Sequence, residues 1–379
     1  MASSSNIIYP SIKLKNVSGT IPVKSIFTFQ GFTYTFTLNI PRALYEGAQE
    51  SETCVRVPKG TPDGVWIKQY HASFVKDTAQ RPVFDALISL FRKIKAEQNL
   101  TSDEYIELIT VFVQTIPYDT EKYNERKRQN ENHPCHRSRF PVETLVENKG
   151  LCGEKSYLLA ALLSLEGYAV SLLLFQKDRH MAVGIPSAVA FDYSYGGHAF
   201  IETTSISYIG AGDGTYGEER QKLTAKPEII KIGSGKKYHR SLQSIKSILT
   251  TEKELKKATS SNSPLSRKIK QREKELNTLQ QKISTFSKSL DKEKQVLQRL
   301  SGSVYNKKCK EYNDHVQAYN DKVRRSKKMT AEYNQLVDTY NQFLRLKRYI
   351  SENAQNKKSV LQEIKKQRNS AEYKKWCLL

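Results

Sequence analysis

The chain has 379 residues and a formal net charge of +22, from 61 lysines and arginines against 39 aspartates and glutamates. Residues 251–379 hold 31 basic and 14 acidic side chains, a net +17, which leaves only +5 for the first 250 residues. The first part has the composition of an ordinary globular domain, and the second part does not. The five cysteines are few and scattered, which argues against a disulfide framework and predicts a cytoplasmic protein.

The first predicted elements are strands followed by two helices. Residues 26–40, rich in Phe, Thr and Tyr around one glycine, predict strands. Residues 83–96 carry apolar side chains at helical spacing, and a second helix should begin at a cap on Thr101 or Ser102 and end at Pro117. Residues 119–140 are polar and charged, and we predict a loop there.

Residues 157–176 are the one segment that approaches the length of a membrane span. Glu166 and Gly167 lie in its middle, where an acidic residue is costly in a bilayer and a glycine ends a helix. We therefore predict a buried helix over 152–165, then a strand, and no membrane span.

Strand-like segments at 168–176, 179–185 and 198–204 follow that helix, and a glycine-rich loop covers 209–220. Helices followed by a run of neighbouring strands are typical of an α+β domain. We assign this domain to residues 1–237.

Residues 238–379 are rich in Lys, Gln, Ser, Asn and Leu, and we predict a basic coiled-coil region. A heptad seam runs from Ile269 to Val304, and "SGS" at 301–303 interrupts it. Tyr-Asn then recurs every seventh residue, at the positions 305, 312, 319, 333 and 340, with only Ser326 departing.

We expect residues 265–350 to form an elongated helical arm whose Tyr-Asn seam is buried. A hairpin that turns near 301–303 would set Arg272 near Glu332. A single interrupted rod is the alternative, and the spacing alone fits both arrangements.

Cys152 is the first candidate for chemistry, because it lies between two glycines at the predicted start of the 152–165 helix. Unpaired N–H groups and the positive end of the helix dipole favour a thiolate there. A histidine beside it would complete a nucleophile–base pair, and a carboxylate would orient that histidine. The competing interpretation is a small buried cysteine on an apolar helix.

His180 and Glu202 are the candidates for the partner groups, since they lie on the second and third predicted strands after that helix. Both are equidistant from residue 191, so a symmetric hairpin would place them directly opposite each other. Asp192 is nearer to His180 in sequence but falls in the predicted loop. We therefore predict that Glu202, not Asp192, orients His180.

These segments together resemble the transglutaminase-like superfamily, in particular its bacterial and archaeal members. The resemblance rests on "FPVETLVENKGLCGEKSYLLAALLSLEGYAVSLLLF", on "HMAVGI", on "ETT" and on the upstream "FVQTIPYD", and it covers roughly residues 26–209. It implies an α+β, transglutaminase-like (papain-like) catalytic core, here followed by the long α-helical coiled-coil arm. It further implies that Cys152 is the nucleophile, His180 the general base and Glu202 its orienting acid.

The function that follows from the resemblance is thiol-dependent acyl chemistry on an amide or peptide bond of a protein or peptide substrate. Prokaryotic relatives favour hydrolysis over cross-linking, so water is the expected acyl acceptor. Two positions depart from the common pattern: Gly153 stands where many members have an acidic residue, and Glu202 stands where many have Asp.

Other classes of function stay open. The coiled coil could tether a partner helix or a second copy, with a non-catalytic core, and a cross-linking transglutaminase is a further alternative. The densest basic cluster, "KVRRSKK" at 322–328, is typical of a solvated helix face and also of weak binding to nucleic acid or to an acidic surface.

Neither a metal nor another cofactor is expected. His133, Cys135 and His136 resemble a fragment of a zinc site, but no second pair follows at ligand spacing. The glycine-rich residues 210–217 lack the Lys-Ser/Thr ending of a phosphate-binding loop.

Overall fold

A computed structural model describes residues 7–128, 136–187, 194–210, 215–216, 221–239 and 242–378. It is an α+β structure, 60% helical, with small sheets and a long C-terminal helix. The chain divides into two compact units. The first comprises Met1–Ser247 with Asn353–Ser359, and the second comprises Ile248–Glu352 with Val360–Leu379.

The described helices before residue 240 share the first unit. They are α1 (Arg42–Glu50), α2 (Asp63–Lys76), a 3₁₀ turn (Thr78–Gln80), α3 (Arg81–Glu97), α4 (Ser102–Thr115), α5 (Thr120–Arg128), α6 (Pro141–Glu147) and α7 (Cys152–Leu165). The described strands are β1 (Thr20–Phe29), β2 (Phe32–Pro41), β3 (Ser171–Phe175), β4 (His180–Pro186), β5 (Ser194–Tyr195), β6 (His198–Ile201), β7 (Thr215–Tyr216), β8 (Gln221–Lys222) and β9 (Glu228–Lys231).

Within the described residues, five strands form an antiparallel sheet in the order β5-β6-β4-β3-β9, and the others form two separate hairpins, β1–β2 and β7–β8. Helix α7 packs on β4 and against α4, α6 and α2. Its residues from Glu154 to Leu163 are all buried. Residues 157–163 make the helix hydrophobic on every side, which is typical of a helix in the middle of a domain, and the sheet packs on this part of α7.

Helix α4 begins and ends where its sequence signals predict. The Thr101 hydroxyl accepts the Glu104 N–H at 3.2 Å, and the Glu104 carboxylate accepts the Thr101 N–H at 3.0 Å. This reciprocal pair is a capping box, which supplies partners for N–H groups that the first turn leaves unpaired. The helix ends at Thr115, two residues before Pro117.

The predicted loop over 119–140 is wrong at its start, because α5 occupies Thr120–Arg128. The Asp119 carboxylate accepts the Lys122 N–H at 3.1 Å and so caps this helix. An acidic residue directly before a charged, non-proline run was the available signal. Residues 129–135 lie outside the described part of the chain, as do 211–214 and 217–220 of the predicted glycine-rich loop.

The helices from residue 242 onward are α8 (Leu242–Ala258), α9 (Pro264–Leu297), α10 (Gly302–Glu352), α11 (Lys357–Arg368) and α12 (Ala371–Cys377). Helices α9 and α10 run antiparallel along each other, and we call this pair the helical hairpin. Arg272 Nη2 lies 3.0 Å from Glu332 Oε2, the pairing that a turn about Gly302 predicts. Gly302 has φ +66°, a backbone conformation that favours glycine.

The Tyr-Asn seam is less buried than we predicted. Tyr305 is 41% exposed, and Tyr312, Tyr319, Tyr333 and Tyr340 are half-buried. Fully buried positions on α10 are instead Met329, Thr339, Phe343, Leu346 and Ile350. The physical reason is geometric, because one neighbouring helix covers a side chain from one direction only.

None of the described helices is both long enough and apolar enough to cross a membrane.

Candidate active site

Cys152 is the first residue of α7, and the residue as a whole is half-buried. The thiol forms a hydrogen bond with the His180 side chain and accepts one from the Met181 N–H. The first turn of a helix also presents N–H groups that have no partner within the helix. The sulfur therefore lies where several donors favour its anion, on a residue that the fold leaves half-buried.

Helix α7 is fixed at this end by the strand that carries His180. The Ser156 hydroxyl donates to the Met181 carbonyl at 3.2 Å and lies 3.2 Å from the Thr203 hydroxyl. Thr203 in turn donates to the Cys152 carbonyl at 3.4 Å. These bonds tie the first turn of the helix to β4 and to the end of β6.

His180 and Glu202 meet inside the protein. His180 Nε2 lies 3.0 Å from Glu202 Oε2, and the two residues are 2% and 5% exposed. Because Nε2 faces the carboxylate, Nδ1 is the ring nitrogen left for Cys152. The structure thus joins all three sequence-predicted site residues in one hydrogen-bonded chain.

The strand register differs from the predicted one by two residues. Strands β4 and β6 pair Val183 with Ile201 and Gly184 with Phe200, so continuing the register would put residue 182 opposite 202. A shift of two keeps a side chain on the same face of a sheet, whereas a shift of one reverses it. Glu202 therefore reaches His180 diagonally, and its extra methylene over Asp suits that longer span.

The two threonines after Glu202 hold its other oxygen. Glu202 Oε1 accepts the N–H of Thr203 at 2.9 Å, the N–H of Thr204 at 2.8 Å and the Thr204 hydroxyl at 2.7 Å. A carboxylate that accepts several hydrogen bonds is stabilised in its charged form. This is the physical role of the "ETT" segment. Asp192, the rejected alternative, lies outside the described residues.

The three groups shift one another's pKa values. Burial disfavours all three charges, but the hydrogen bonds and opposite charges outweigh it. They lower the pKa of the Cys152 thiol, through His180 and the Met181 N–H, and lower the pKa of Glu202, through His180 and Thr204. They raise the pKa of His180 to about 10, through Glu202 and Cys152. A thiolate–imidazolium pair is the resting form that these directions favour at neutral pH.

Lys155 is a neighbour that the sequence reasoning missed. Its side chain is fully buried, and Nζ donates to the carbonyls of Gln114 at 3.2 Å and Ile116 at 2.5 Å. Burial lowers the pKa of Lys155 to about 7, against the opposing attraction of Glu202 and Cys152. A lysine three residues into an otherwise apolar helix was the available signal.

Glu154 is a second neighbour that the sequence reasoning missed. Its carboxylate accepts the Leu151 N–H and the Arg139 N–H, each at 2.9 Å, and pairs with Lys122 Nζ at 2.5 Å. These contacts bind the turn that leads into α7 to the preceding loop. The signal was a glutamate at the third position of a helix, which is where a capping box places it.

Tyr118 completes the surroundings of the sulfur. It pairs as an isolated bridge with Gly150, two residues before Cys152. Burial raises the pKa of the Tyr118 hydroxyl, and the adjacent Cys152 thiolate raises it further. The neutral hydroxyl is therefore kept as a hydrogen-bond donor close to the nucleophile. The signal lay in "FVQTIPYD", the segment that the family resemblance includes.

The described cysteines differ in whether they form a disulfide. Cys54 is disulfide-bonded, whereas Cys152, Cys309 and Cys377 are free. The scattered spacing of the cysteines did not predict this bond. The argument from cysteine spacing therefore no longer supports a cytoplasmic compartment. His133 and Cys135 lie outside the described residues, and within those described no cluster of three His, Cys, Asp or Glu side chains could hold a metal.

Comparison of the chain with protein-family models, with curated proteins and with solved structures gives no significant match. The transglutaminase-like resemblance therefore rests on the sequence motifs of this chain alone.

Proposed function

We propose that the first unit is a transglutaminase-like cysteine hydrolase that cleaves an amide or peptide bond in a protein or peptide substrate. The observation that carries this proposal is the continuous hydrogen-bonded chain from the Cys152 thiol through His180 to the buried Glu202. A cysteine that only filled space would need neither a charged partner nor an orienting acid. No cofactor enters the mechanism.

In the first step the Cys152 thiolate attacks the substrate carbonyl carbon, a C–S bond forms, and the C=O π electrons move to oxygen. The His180 imidazolium then donates its Nδ1 proton to the amide nitrogen, the C–N bond breaks and the amine leaves. The Glu202 carboxylate stays ionised throughout, because three donors on its second oxygen and His180 on its first stabilise that charge.

In the second step a water molecule attacks the thioester carbon and gives its proton to neutral His180. The C–S bond breaks, the carboxylic acid leaves, and the proton on His180 restores the thiolate–imidazolium pair. An amine in place of water would transfer the acyl group and cross-link two chains instead. We favour water, as the family resemblance does.

The negative oxygen that forms in each step needs donors aimed at it. The Cys152 N–H is one, since it belongs to the first turn of α7. We assign the Tyr118 hydroxyl as the second, because it lies beside Cys152 and remains protonated. Removing one such donor typically costs about 10²- to 10³-fold in turnover, and Tyr118→Phe should do so without abolishing alkylation of Cys152.

The direct test is the rate at which iodoacetamide labels each free cysteine between pH 5 and 8. We expect Cys152 to react first near neutral pH, because His180 and the Met181 N–H lower its pKa. Cys377 is the internal control, since burial raises its pKa to about 12. Mass spectrometry of partly labelled protein reads out both sites.

His180→Gln is the matched variant for this test. It removes the cation and should slow labelling of Cys152 at pH 6 by about tenfold or more, since one pKa unit is one decade of thiolate at that pH. Equal labelling of Cys152 and Cys377, or no effect of His180→Gln, would overturn the proposed nucleophile. A peptide-amide library with a trapping amine, and Cys152→Ala as blank, then distinguishes hydrolysis from transamidation.

A further inference from the structure

The Tyr-Asn repeat of α10 is broken once, and the break changes two residues together. Where the repeat requires tyrosine and asparagine, the chain has Ser326 and Lys327. Serine removes a ring from the seam between α9 and α10, and lysine adds a positive charge beside the gap.

A groove of about 530 Å³ opens between the two helices at this position. Its lining includes three serines, two lysines and one aromatic ring: Ser284, Ser287, Lys288, Tyr319, Ser326 and Lys327. Gln280, Ile283 and Val323 complete the lining. On one side it is bounded by the apolar cluster of Leu276, Leu279 and Met329, against which Ile283 packs. On the other side lies the edge-to-face pair of Phe286 and Tyr319, with ring centroids 6.2 Å apart.

The polar groups of the groove are not used by the fold. The side chains of Ser326, Lys288 and Lys327 make no hydrogen bond or ion pair with any residue that the structure describes, and the same holds for Ser284 and Ser287. The nearby acid Asp321 pairs with Arg324, and Glu293 pairs with His315. The groove therefore combines hydroxyl groups with two lysines that form no ion pair with the acids of the helical hairpin, Asp291 one turn after Lys288 included.

The surface around the groove extends this pattern. Lys322 Nζ lies 5.2 Å from the centroid of the Phe286 ring, and Arg325 and Lys328 continue the basic cluster on the same helix. Charge-assisted hydrogen bonds from lysine and hydroxyl groups suit phosphate oxygens. An aromatic ring beside such groups suits a nucleobase, because every base has a face that can stack.

We propose that this groove binds single-stranded nucleic acid. One phosphate is held by Lys288 and Lys327 with the serine hydroxyls, and the adjacent base lies against Tyr319. An acidic partner helix would match the charge but would leave the ring and the closely spaced hydroxyls without a role. The proposal is independent of the chemistry at Cys152.

The test uses the full-length protein and a fluorescein-labelled oligothymidylate, with binding followed by anisotropy at low salt. Ser326→Tyr combined with Lys327→Asn restores the repeat, fills the groove and removes one charge. We expect binding to weaken by about tenfold or more, because the variant loses one stacked base and one phosphate contact and each loss lowers the affinity. The slope of log affinity against log salt should also fall by about one.

Lys310→Asn is the matched control, because Lys310 is an exposed lysine of the same helix outside the groove. It should change affinity by about twofold or less. The repeat-restoring variant should keep or raise the melting temperature, which excludes unfolding as the cause of lost binding, and Lys288→Gln should weaken binding as well. Equal loss in Lys310→Asn, no binding of the oligonucleotide, or complete displacement of it by polyglutamate would each overturn the proposal.

Discussion

Four hydrogen bonds converge on the carboxylate of Glu202, and they decide how the neighbouring histidine behaves. Three donors from Thr203 and Thr204 occupy Oε1, and His180 occupies Oε2. At the scale of single residues, the site therefore depends on where backbone N–H groups point as much as on side-chain types. The pKa of the Glu202 carboxyl is lowered despite its burial, and its charge keeps His180 protonated.

Glu202→Gln is the first prediction at this scale. The amide oxygen can still accept from Thr203 and Thr204, but the amide NH₂ cannot accept the proton on His180 Nε2. The pKa of His180 should fall, and the rate of Cys152 alkylation below pH 7 should fall with it. In an amide-hydrolysis assay we expect a loss of about 10²- to 10⁴-fold, as for an orienting acid replaced by its amide.

Asp192→Asn is the control for that variant, because the sequence argument rejects Asp192 as the orienting acid. Both proteins should give the same circular dichroism spectrum. If Asp192→Asn lost as much activity as Glu202→Gln, the assignment of Glu202 would be wrong.

Lys155 gives a prediction about stability and pH. Its pKa is about 7 in the folded protein and 10.5 for the unperturbed group, so between these values the unfolded chain binds more protons. Folding stability from this residue therefore rises with pH across that window. Relative to wild type, the free energy of unfolding of Lys155→Met should fall by roughly 1 kcal/mol per pH unit between pH 7.5 and 9.

Urea unfolding of both proteins at several pH values measures this difference. The hydrogen bonds to Gln114 and Ile116 are lost in the variant at every pH, so they shift the whole curve and not its slope. If the difference in unfolding free energy stayed constant with pH, the pKa of Lys155 would not be lowered in the folded state.

At the scale of elements, short turns and the register between strands place the site. β4 and β6 could pair in several registers, and only those of one parity put His180 and Glu202 on the same face. The observed register differs from the symmetric one by two residues. His180 and Glu202 still share a face of the sheet, because side chains alternate with a period of two along a strand. The hairpin of α9 and α10 depends in a similar way on one residue at its turn.

Gly302→Ala is the prediction for that turn. Gly302 has φ +66°, and a Cβ built there would meet no atom within 4 Å, so the cost is backbone strain alone. We expect a loss of about 1 kcal/mol in stability. Gly64→Ala is the matched control, since Gly64 lies in α2, lacks a positive φ and is equally open.

In the control, alanine should be neutral or should stabilise by up to about 1 kcal/mol, because it is the better helix former. Thermal unfolding followed by circular dichroism separates the two variants. A melting temperature for Gly302→Ala at or above that of Gly64→Ala would contradict the role of Gly302.

At the scale of the whole chain, the first unit includes a segment from far along the sequence. Residues 353–359 belong to it, and the Gln30 N–H donates to the Gln355 carbonyl at 2.9 Å. Lys357 Nζ lies 2.6 and 2.7 Å from the two carboxylate oxygens of Glu107, and the Tyr238 hydroxyl donates to the same carboxylate at 2.7 Å. Both charged side chains are nearly buried.

Lys357→Met should destabilise the first unit by about 3–5 kcal/mol, because it leaves the Glu107 charge buried without its cation. Adding Glu107→Gln should restore part of that loss, since the amide carries no charge and can still accept from Tyr238. Urea unfolding of the single and double variants measures both effects. If the double variant were less stable than Lys357→Met, the stabilising effect of Lys357 and Glu107 would not come from their ion pair.

Much of the local structure follows from the sequence by itself. The limits of α7 are given by its apolar run and by the stop at Glu166 and Gly167, and the capping box at Thr101 marks the start of α4. Caps and helix stops act within a few residues, so they can be recognised without knowledge of the fold. Cys152, His180 and Glu202 lie far apart in sequence, and they could be named as candidates because the family resemblance supplies their chemistry and chain order.

Only the tertiary structure determined the contacts between residues that are far apart in sequence. The register of β4 with β6, the contacts of Lys155 with the end of α4, and the ion pair between Glu107 and Lys357 join residues that no local pattern connects. Burial shifts the pKa of Lys155, and the groove at Ser326 exists only because two helices meet there. The sequence gives the side chains that are present and their periodicity, but only the packing of the folded chain determines which of them are in contact.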